Sequence, residues 1–340
     1  MELKVENVHQ LLPPLLNYIR KHGVERASRN GPVLVVDQPV TVTYLKPRQR
    51  VMFWSQRDAN PALHLYESLW MLRGRNDVAP MERYAKQFNN YSDDGTILHG
   101  AYGHRWRYHF GYDQLLPIIK RLRADQDDRR CVLQMWDARV DLDRDGRDVP
   151  CNMIATFQRD YNGALDLTVY NRSNDAVWGL AGANAVHFGF LLEYMANAIG
   201  CPVGRYNQIT TNLHAYLKTL EPLAAITRVG ENPYKKVVSL DLPTNGQDRE
   251  IRRVVGGIDF LEEHGYFPDT SVLETGWGRA CVAVLTANYV WRLGAKEERY
   301  NRALKVLSKC WCGDIFDFAV AQREWFERRE IKYRGGASCS

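Results

Sequence analysis

The chain has 340 residues, 45% of them apolar and 25% charged, with 45 Lys and Arg against 40 Asp and Glu for a net charge of +5. That composition excludes a disordered chain, a collagen-like fibre and a small disulfide scaffold, and the positive excess is too thin for general nucleic-acid binding while suiting local arginines kept for a phosphate. No run approaches the roughly 18 apolar residues of a membrane span, and Met1–Gln10 lacks the basic start and apolar run of a signal peptide, so a cytoplasmic protein is expected.

The elements read as mixed α/β. Val8, Leu11, Leu12, Leu15, Leu16 and Ile19 recur at helical spacing and predict a helix over 8–22. Arg29-Asn30-Gly31-Pro32 forms a basic turn, after which 33–45 alternates like strands. Pro61–Leu72 reads as a helix whose apolar stripe holds Leu63, Tyr66 and Trp70, with Glu67 between them. A carboxylate on such a stripe costs free energy unless it is paired, hydrated or kept for chemistry. An aromatic-rich stretch follows (Phe88, Tyr91, Tyr102, Trp106, Tyr108), then a helix near 114–124 and a strand Cys131–Trp136 preceded by Arg129-Arg130.

Met153–Arg159 and Ala164–Asn171 make a hairpin around Asp160-Tyr161-Asn162-Gly163, in which Asn-Gly suits the positive φ angles of a tight turn. The second strand runs into Arg172-Ser173-Asn174-Asp175. Beyond a bend marked by Gly179 and Gly182, an apolar helix spans Asn184–Ile199 and stops at Gly200 with Pro202 behind it. From about residue 225 the character changes. Pro233, Pro243 and Gly246 sit in a charged, loop-rich segment, Cys281–Leu293 is apolar, and 296–329 reads as two charged amphipathic helices. The organisation expected is a catalytic core over 1–225 and a partly helical extension over 226–340.

Seven cysteines (Cys131, Cys151, Cys201, Cys281, Cys310, Cys312, Cys339) are scattered without CxxC pairs or a neighbouring HxxxH, so neither a metal site nor a disulfide framework is expected. Cys151 follows Pro150 at the start of the hairpin, and an antiparallel pair sets the start of one strand opposite the end of the next. Cys151 and Arg172 are therefore expected side by side, where a guanidinium favours the nucleophilic thiolate. Arg29, Arg129, Arg130 and Arg172 each stand at a turn or strand end, a placement that suits bidentate binding of phosphate. Read alone, a strand cysteine is more often a packing residue and each such arginine more often a solvated one. The basic run Arg323–Arg334 has Glu324, Glu327 and Glu330 interleaved and reads as a solvated helix face.

Glu67-Ser68-Leu69-Trp70, Tyr102-Gly103, Arg129-Arg130, Pro150-Cys151, Arg172-Ser173-Asn174-Asp175, Gly179-Leu180, Asn184 and His214-x-Tyr216 resemble the signature segments of the thymidylate synthase family, over roughly residues 15–225. The resemblance implies a homodimeric mixed α/β fold with a sheet at the dimer interface and helices around it, holding a pyrimidine deoxynucleoside monophosphate against 5,10-methylenetetrahydrofolate as co-substrate. By similarity, Cys151 is the nucleophile that adds to pyrimidine C6, and Arg29, Arg172 and Ser173 bind the 5′-phosphate with Arg129 and Arg130 of the second protomer. His214 and Tyr216 hold the ribose, and Asn184 reads the uracil edge where cytosine-specific relatives carry aspartate. Asp175 is the folate-binding carboxylate, and Glu67 with Tyr102 handles protons through ordered water.

Four departures bear on the product. Pro150-Cys151-Asn152 stands for the family's usual Pro-Cys-His, and Asn171-Arg172-Ser173 for Gln-Arg-Ser. Gly179-Leu180-Ala181-Gly182-Ala183-Asn184 is one residue longer than usual and lacks a Phe, and Phe88 replaces a tryptophan that shields the one-carbon unit. A phenyl ring is smaller than indole and has no N–H, which makes room for a water. These features resemble the phage-type nucleotide hydroxymethylases of the family, and the closing C-terminal tail of the synthases has no counterpart in Gly336–Ser340. The expected activity is a deoxyuridylate 5-hydroxymethylase. A thymidylate synthase, a cytidylate hydroxymethylase reshaped by a neighbour such as His187, and a catalytically silent nucleotide- or RNA-binding relative are the alternatives.

Overall fold

A computed structural model describes residues 1–310 and 312–337; Cys339 and the last residues of Gly336–Ser340 lie outside them. Ten strands are present: β1 (Glu2–Val5), β2 (Val24–Arg26), β3 (Val33–Val36), β4 (Val40–Tyr44), β5 (Val132–Gln134), β6 (Asn152–Arg159), β7 (Leu165–Asn171), β8 (Asn174–Asp175), β9 (Val203–Thr210) and β10 (Leu213–Tyr216). Six form a mixed sheet in the order β1-β4-β9-β7-β6-β5, and four form a smaller one in the order β2-β3-β10-β8.

The large sheet follows the alternation of its strands. Along β7 the residues Leu165, Leu167, Val169 and Asn171 are buried while their neighbours face outward. Asn184–Ile199 is buried almost all round and packs against β7 and β9, so this helix is hydrophobic on every side because it lies inside the unit. Val8–His22 is capped by the Asn7 side chain, which accepts from Gln10 N at 3.1 Å, and buries the apolar face read from its spacing. The opposite face of the large sheet is polar, carrying Thr41, Thr43, Thr156, Thr168, Asn207 and an Asp166–Arg205 ion pair.

The hairpin turn differs from the one expected. Only Gly163 has positive φ (+81°); Asp160 closes the loop by donating to Ala164 O at 2.8 Å, and its carboxylate accepts from Asn162 N and Ala164 N at 2.9 Å. The Asp160 carboxylate thus holds the expected loop with glycine alone at a left-handed position, where the Asn-Gly pair predicts positive φ at both Asn162 and Gly163.

The chain divides into two compact units, Met1–Arg50 with Trp70–Asn232 and Val51–Leu69 with Pro233–Ser340. The division differs from the simple cut near 225: residues 51–69, expected in the core, cluster with the extension. The second unit is helical, with Gln247–His264, Gly276–Leu293, Arg299–Leu307 and Asp317–Ala337. The first of these replaces the loop expected there, because Gly256-Gly257 and the charges of Asp248–Arg253 mask its apolar face of Ile251, Val254, Ile258 and Leu261. Segment 51–69 is tied into this unit through Tyr66, which donates to Asp259 at 2.7 Å, and through Asp58, which accepts both guanidinium nitrogens of Arg329 at 2.8 and 2.9 Å. Trp291 stacks on Phe326 at 4.8 Å in its core. None of the six described cysteines forms a disulfide, and no described helix is long and apolar enough to cross a membrane.

Candidate active site

Cys151 precedes the first residue of β6, and Arg172 follows the last residue of β7. Asn152 pairs with Asn171, so Arg172 N donates to Cys151 O at 2.9 Å. The register places the two residues together as the antiparallel reading requires. The guanidinium is oriented by main-chain oxygens, with Nε donating to Pro150 O at 2.8 Å and Nη2 to Val149 O at 3.0 Å. It holds the loop that carries the cysteine and keeps positive charge beside it.

That charge does not win. Burial pushes the Cys151 thiol above its ordinary range, and Asp148 adds to the rise, while Arg172 and Arg29 pull it down. Desolvation disfavours the charged thiolate more than the two arginines favour it. Arg172 thus acts in the expected direction, toward thiolate, but burial outweighs it. Arg29 lies on the exposed turn Ser28–Gly31, and Nη2 donates to Arg147 O at 3.5 Å. The turn also reaches Tyr216, whose hydroxyl accepts from Asn30 Nδ2 at 3.4 Å.

Tyr102 opens the short helix Tyr102–Arg107, and its hydroxyl accepts from both Cys151 N at 3.1 Å and Asn152 N at 3.2 Å. Burial and the neighbouring Cys151 hold its ionisation far above the usual phenol range, so it stays neutral. Next to it, Gly103 allows backbone-to-backbone contact, since a methyl there would stand 2.0 Å from Met71 O. Asp148 is a member of the site that the sequence did not single out. Its carboxylate accepts from Gly100 N at 2.7 Å, and burial raises its proton affinity.

Asp175 and His214 are parallel partners, and the His214 and Tyr216 rings meet edge-to-face at 5.6 Å. One Asp175 oxygen accepts from Val177 N at 2.7 Å and Trp178 N at 2.6 Å, which caps the turn that follows. Phe88 lies on the short 3-10 turn Lys86–Asn90 with its ring 6.4 Å from Tyr91. The Tyr91 hydroxyl is pushed up by burial and by Tyr216, Asp175 and Asp148, the last of which also acts on Cys151. Ser173 is half-buried between Arg172 and Asn174.

Arg129 and Arg130 lie elsewhere, exposed beside the edge strand β5, where Arg130 forms a two-pronged pair with Asp128 at 3.0 and 2.8 Å. Glu67 is half-buried and belongs to the second unit.

Asn184 begins the buried helix and is only 9% exposed. Its Oδ1 accepts from Asn152 Nδ2 at 3.3 Å, and its Nδ2 donates to Asn174 Oδ1 at 3.1 Å. Asn152, the residue in place of the usual histidine, thus touches the side chain expected to read the base. The segment before Asn184 forms a π-type turn over Ala176–Ala183, kinked at Ala181 and Gly182. Gly179 has no room for a side chain, because a methyl there would stand 2.2 Å from Asn174 Oδ1.

Comparison with known proteins agrees with this geometry. A family model described as thymidylate synthase matches residues 12–269, past the limit expected from the sequence. A deoxyuridylate hydroxymethyltransferase of Pseudomonas phage M6 is 42% identical over 97% of this chain and 95% of its own length. Another protein of that name, from Bacillus phage SP01, is 38% identical over 61% of this chain and 57% of its own. Among solved structures, the thymidylate synthase of T4 phage superposes with a TM-score of 0.53 at 21% identity, covering 66% of this chain and 82% of that one; it shares the fold.

Proposed function

The chain belongs to the thymidylate synthase family, and from that premise we propose that it is a deoxyuridylate 5-hydroxymethylase, an enzyme that converts dUMP, a one-carbon unit and water into 5-hydroxymethyl-dUMP. The observation that carries the reading is the near full-length likeness to the phage M6 deoxyuridylate hydroxymethyltransferase, together with a cysteine, a neutral tyrosine and two arginines gathered at one strand end.

Arg29, Arg172 and Ser173 bind the nucleotide phosphate in this reading, with Arg129 and Arg130 supplied by a second copy of the chain across the polar face of the large sheet. Their exposed position on the edge beside β5 suits that role. His214 and Tyr216 hold the sugar, and Asn184 reads the base edge. A bound phosphate draws positive charge toward itself, so the Cys151 thiol needs a proton acceptor, which ordered water at the Tyr102 hydroxyl supplies. The sulfur then adds to C6 of the ring, and the electron pair of the C5–C6 double bond moves to C5 and O4.

Methylenetetrahydrofolate supplies the one-carbon unit at the oxidation level of formaldehyde. The fit of this chain to it rests on Asp175 beside the exposed face of Trp178 and on the Phe88 turn, an acidic group next to flat apolar surface. After transfer, C5 loses its proton and the freed electron pair expels tetrahydrofolate, leaving a methylene on C5; water then adds to that carbon as the C6–S bond breaks and Cys151 is released as thiolate. The sum is dUMP, methylenetetrahydrofolate and water giving 5-hydroxymethyl-dUMP and tetrahydrofolate, with no net oxidation. Phe88 in place of a larger indole leaves room for that water. In this reading the protein acts as a homodimer in the cytoplasm.

The test is to incubate the protein with dUMP or dCMP and methylenetetrahydrofolate and weigh the nucleotide product. A hydroxymethyl product from dUMP that disappears in Cys151→Ala supports the reading. Thymidylate with dihydrofolate, product from dCMP alone, or turnover retained in Cys151→Ala each refutes it.

A further inference from the structure

Asn184 is one link in a buried row of side-chain amides, and the row has a direction. Asn171 Nδ2 donates to Asn152 Oδ1, Asn152 Nδ2 to Asn184 Oδ1 at 3.3 Å, Asn184 Nδ2 to Asn174 Oδ1 at 3.1 Å, and Asn174 Nδ2 to Gln208 Oε1 at 3.1 Å. The row ends where Gln208 Nε2 donates to Leu180 O at 3.1 Å, an oxygen that also accepts from the Tyr44 hydroxyl at 2.6 Å. Asn152, Asn171 and Gln208 are wholly buried, and Asn174 and Asn184 nearly so.

Oxygen and nitrogen of an amide are close in shape, so a side-chain amide is turned one way or the other by its hydrogen bonds alone. A main-chain carbonyl only accepts. Leu180 O therefore obliges Gln208 to present Nε2, which turns Oε1 to Asn174, which turns Oδ1 of Asn174 to Asn184. Turning Asn184 over would set two oxygens together at Asn174 and two N–H groups together at Asn152, inside protein where no water relieves them. Nor does Asn174 have space to shift aside, since Gly179 lies directly against its Oδ1.

Two valences of Asn184 are left: one proton on Nδ2 and one lone pair on Oδ1. From a single seat over Cys151, a 4-oxo pyrimidine offers an acceptor at O4 and a donor at N3–H, whereas a 4-amino pyrimidine offers the reverse pair. The two bases require opposite orientations of one amide. We propose that the row from Leu180 to Asn152 acts as a polarity lock that holds the Asn184 amide in the orientation accepting a 4-oxo pyrimidine and refusing a 4-amino one, making Gln208, Asn174 and Asn152 specificity-determining positioning residues.

The inference rests on the reading of Asn184 as the base-edge residue and adds how its choice is enforced. Gln208→Met keeps the side-chain volume and removes the anchor on Leu180 O. Asn152→Asp acts at the other end, where a carboxylate cannot donate to Asn184 Oδ1 and instead draws its Nδ2. Dissociation constants of dUMP and dCMP are measured for the full-length wild type and both variants by calorimetry, with circular dichroism to follow folding.

The expected result is a wild type that prefers dUMP and a preference that falls about tenfold or more in each variant, a change of about 1.4 kcal/mol in relative binding. A merely structural role weakens both nucleotides together and leaves their ratio unchanged. Variants that stay folded and retain the wild-type ratio within about twofold overturn the lock while leaving the Asn184 reading intact. If Gln208→Met does not fold, the ratio in Asn152→Asp decides. A wild type that binds neither nucleotide, or prefers dCMP, overturns the reading of Asn184 and the lock with it.

Discussion

Gly179→Ala is a small change with a large expected effect. Gly179 does not need glycine for its backbone angles, since its φ is not positive; it needs the absence of a side chain. The added methyl would stand 2.2 Å from Asn174 Oδ1 and 3.4 Å from Asn184 Nδ2. Ordinary contact begins near 3.4 Å, so the Asn174 oxygen must retreat by about 1 Å. Its bond to Asn184 is 3.1 Å long, and that retreat breaks it.

The loss is a buried hydrogen bond worth about 0.5–1.5 kcal/mol, plus an unsatisfied buried donor or acceptor costing about 1–3 kcal/mol. A destabilisation of about 2–4 kcal/mol follows, which lowers the melting temperature of a chain of this length by roughly 3–6 °C. Thermal unfolding followed by circular dichroism measures the first effect, and calorimetric titration with dUMP measures the accompanying loss of affinity. A Gly179→Ala protein within about 1–2 °C of wild type with unchanged dUMP binding would refute the packing argument, because the methyl would then have found room that the geometry denies.

The charges around Cys151 should act with opposite signs on its alkylation by iodoacetamide at neutral pH. Arg172→Met raises the thiol pKa further and slows the reaction, whereas Asp148→Asn lowers it and speeds the reaction, each by up to about tenfold; changes in the same direction would contradict this electrostatic account. Arg50 and Glu193 form a pair at 2.5 Å with both side chains at most 2% exposed, and the guanidinium lies 3.4 Å from the Phe190 ring centroid. Arg50→Met leaves a buried carboxylate without its guanidinium and should cost about 3–5 kcal/mol in urea unfolding, most of it regained in Arg50→Met/Glu193→Leu. A single variant losing under about 1 kcal/mol would show that water reaches the pair.

What the sequence made legible was local. Spacing alone located Val8–His22 and Asn184–Ile199, and hairpin logic set Cys151 beside Arg172 across a register that the structure confirms. Less legible was what depends on contacts far apart in the chain. Nothing near residues 51–69 indicates that Asp58 meets Arg329 or Tyr66 meets Asp259. The amide row draws Asn152, Asn171, Asn174, Asn184 and Gln208 from separate elements. Only a faint signal pointed to it, a polar residue at an inward position of an otherwise alternating strand, as at Asn171 in β7 and Gln208 in β9.

Asp148 escaped notice for a related reason, since its importance comes from the Gly100 main chain and from burial, neither of which composition records. The additional residue before Asn184 was visible as a length difference, but the kinked π-type turn of that segment, whose Leu180 carbonyl meets Gln208 and Tyr44, depends on the core around it.

The central claim is that water, and not hydride, completes the reaction at the exocyclic carbon. It is tested most directly by running the reaction with dUMP and methylenetetrahydrofolate in ¹⁸O-labelled water and analysing the nucleotide and folate products by mass spectrometry. The account predicts 5-hydroxymethyl-dUMP carrying the heavy oxygen on its hydroxymethyl group, with tetrahydrofolate released. Thymidylate accompanied by dihydrofolate would contradict it.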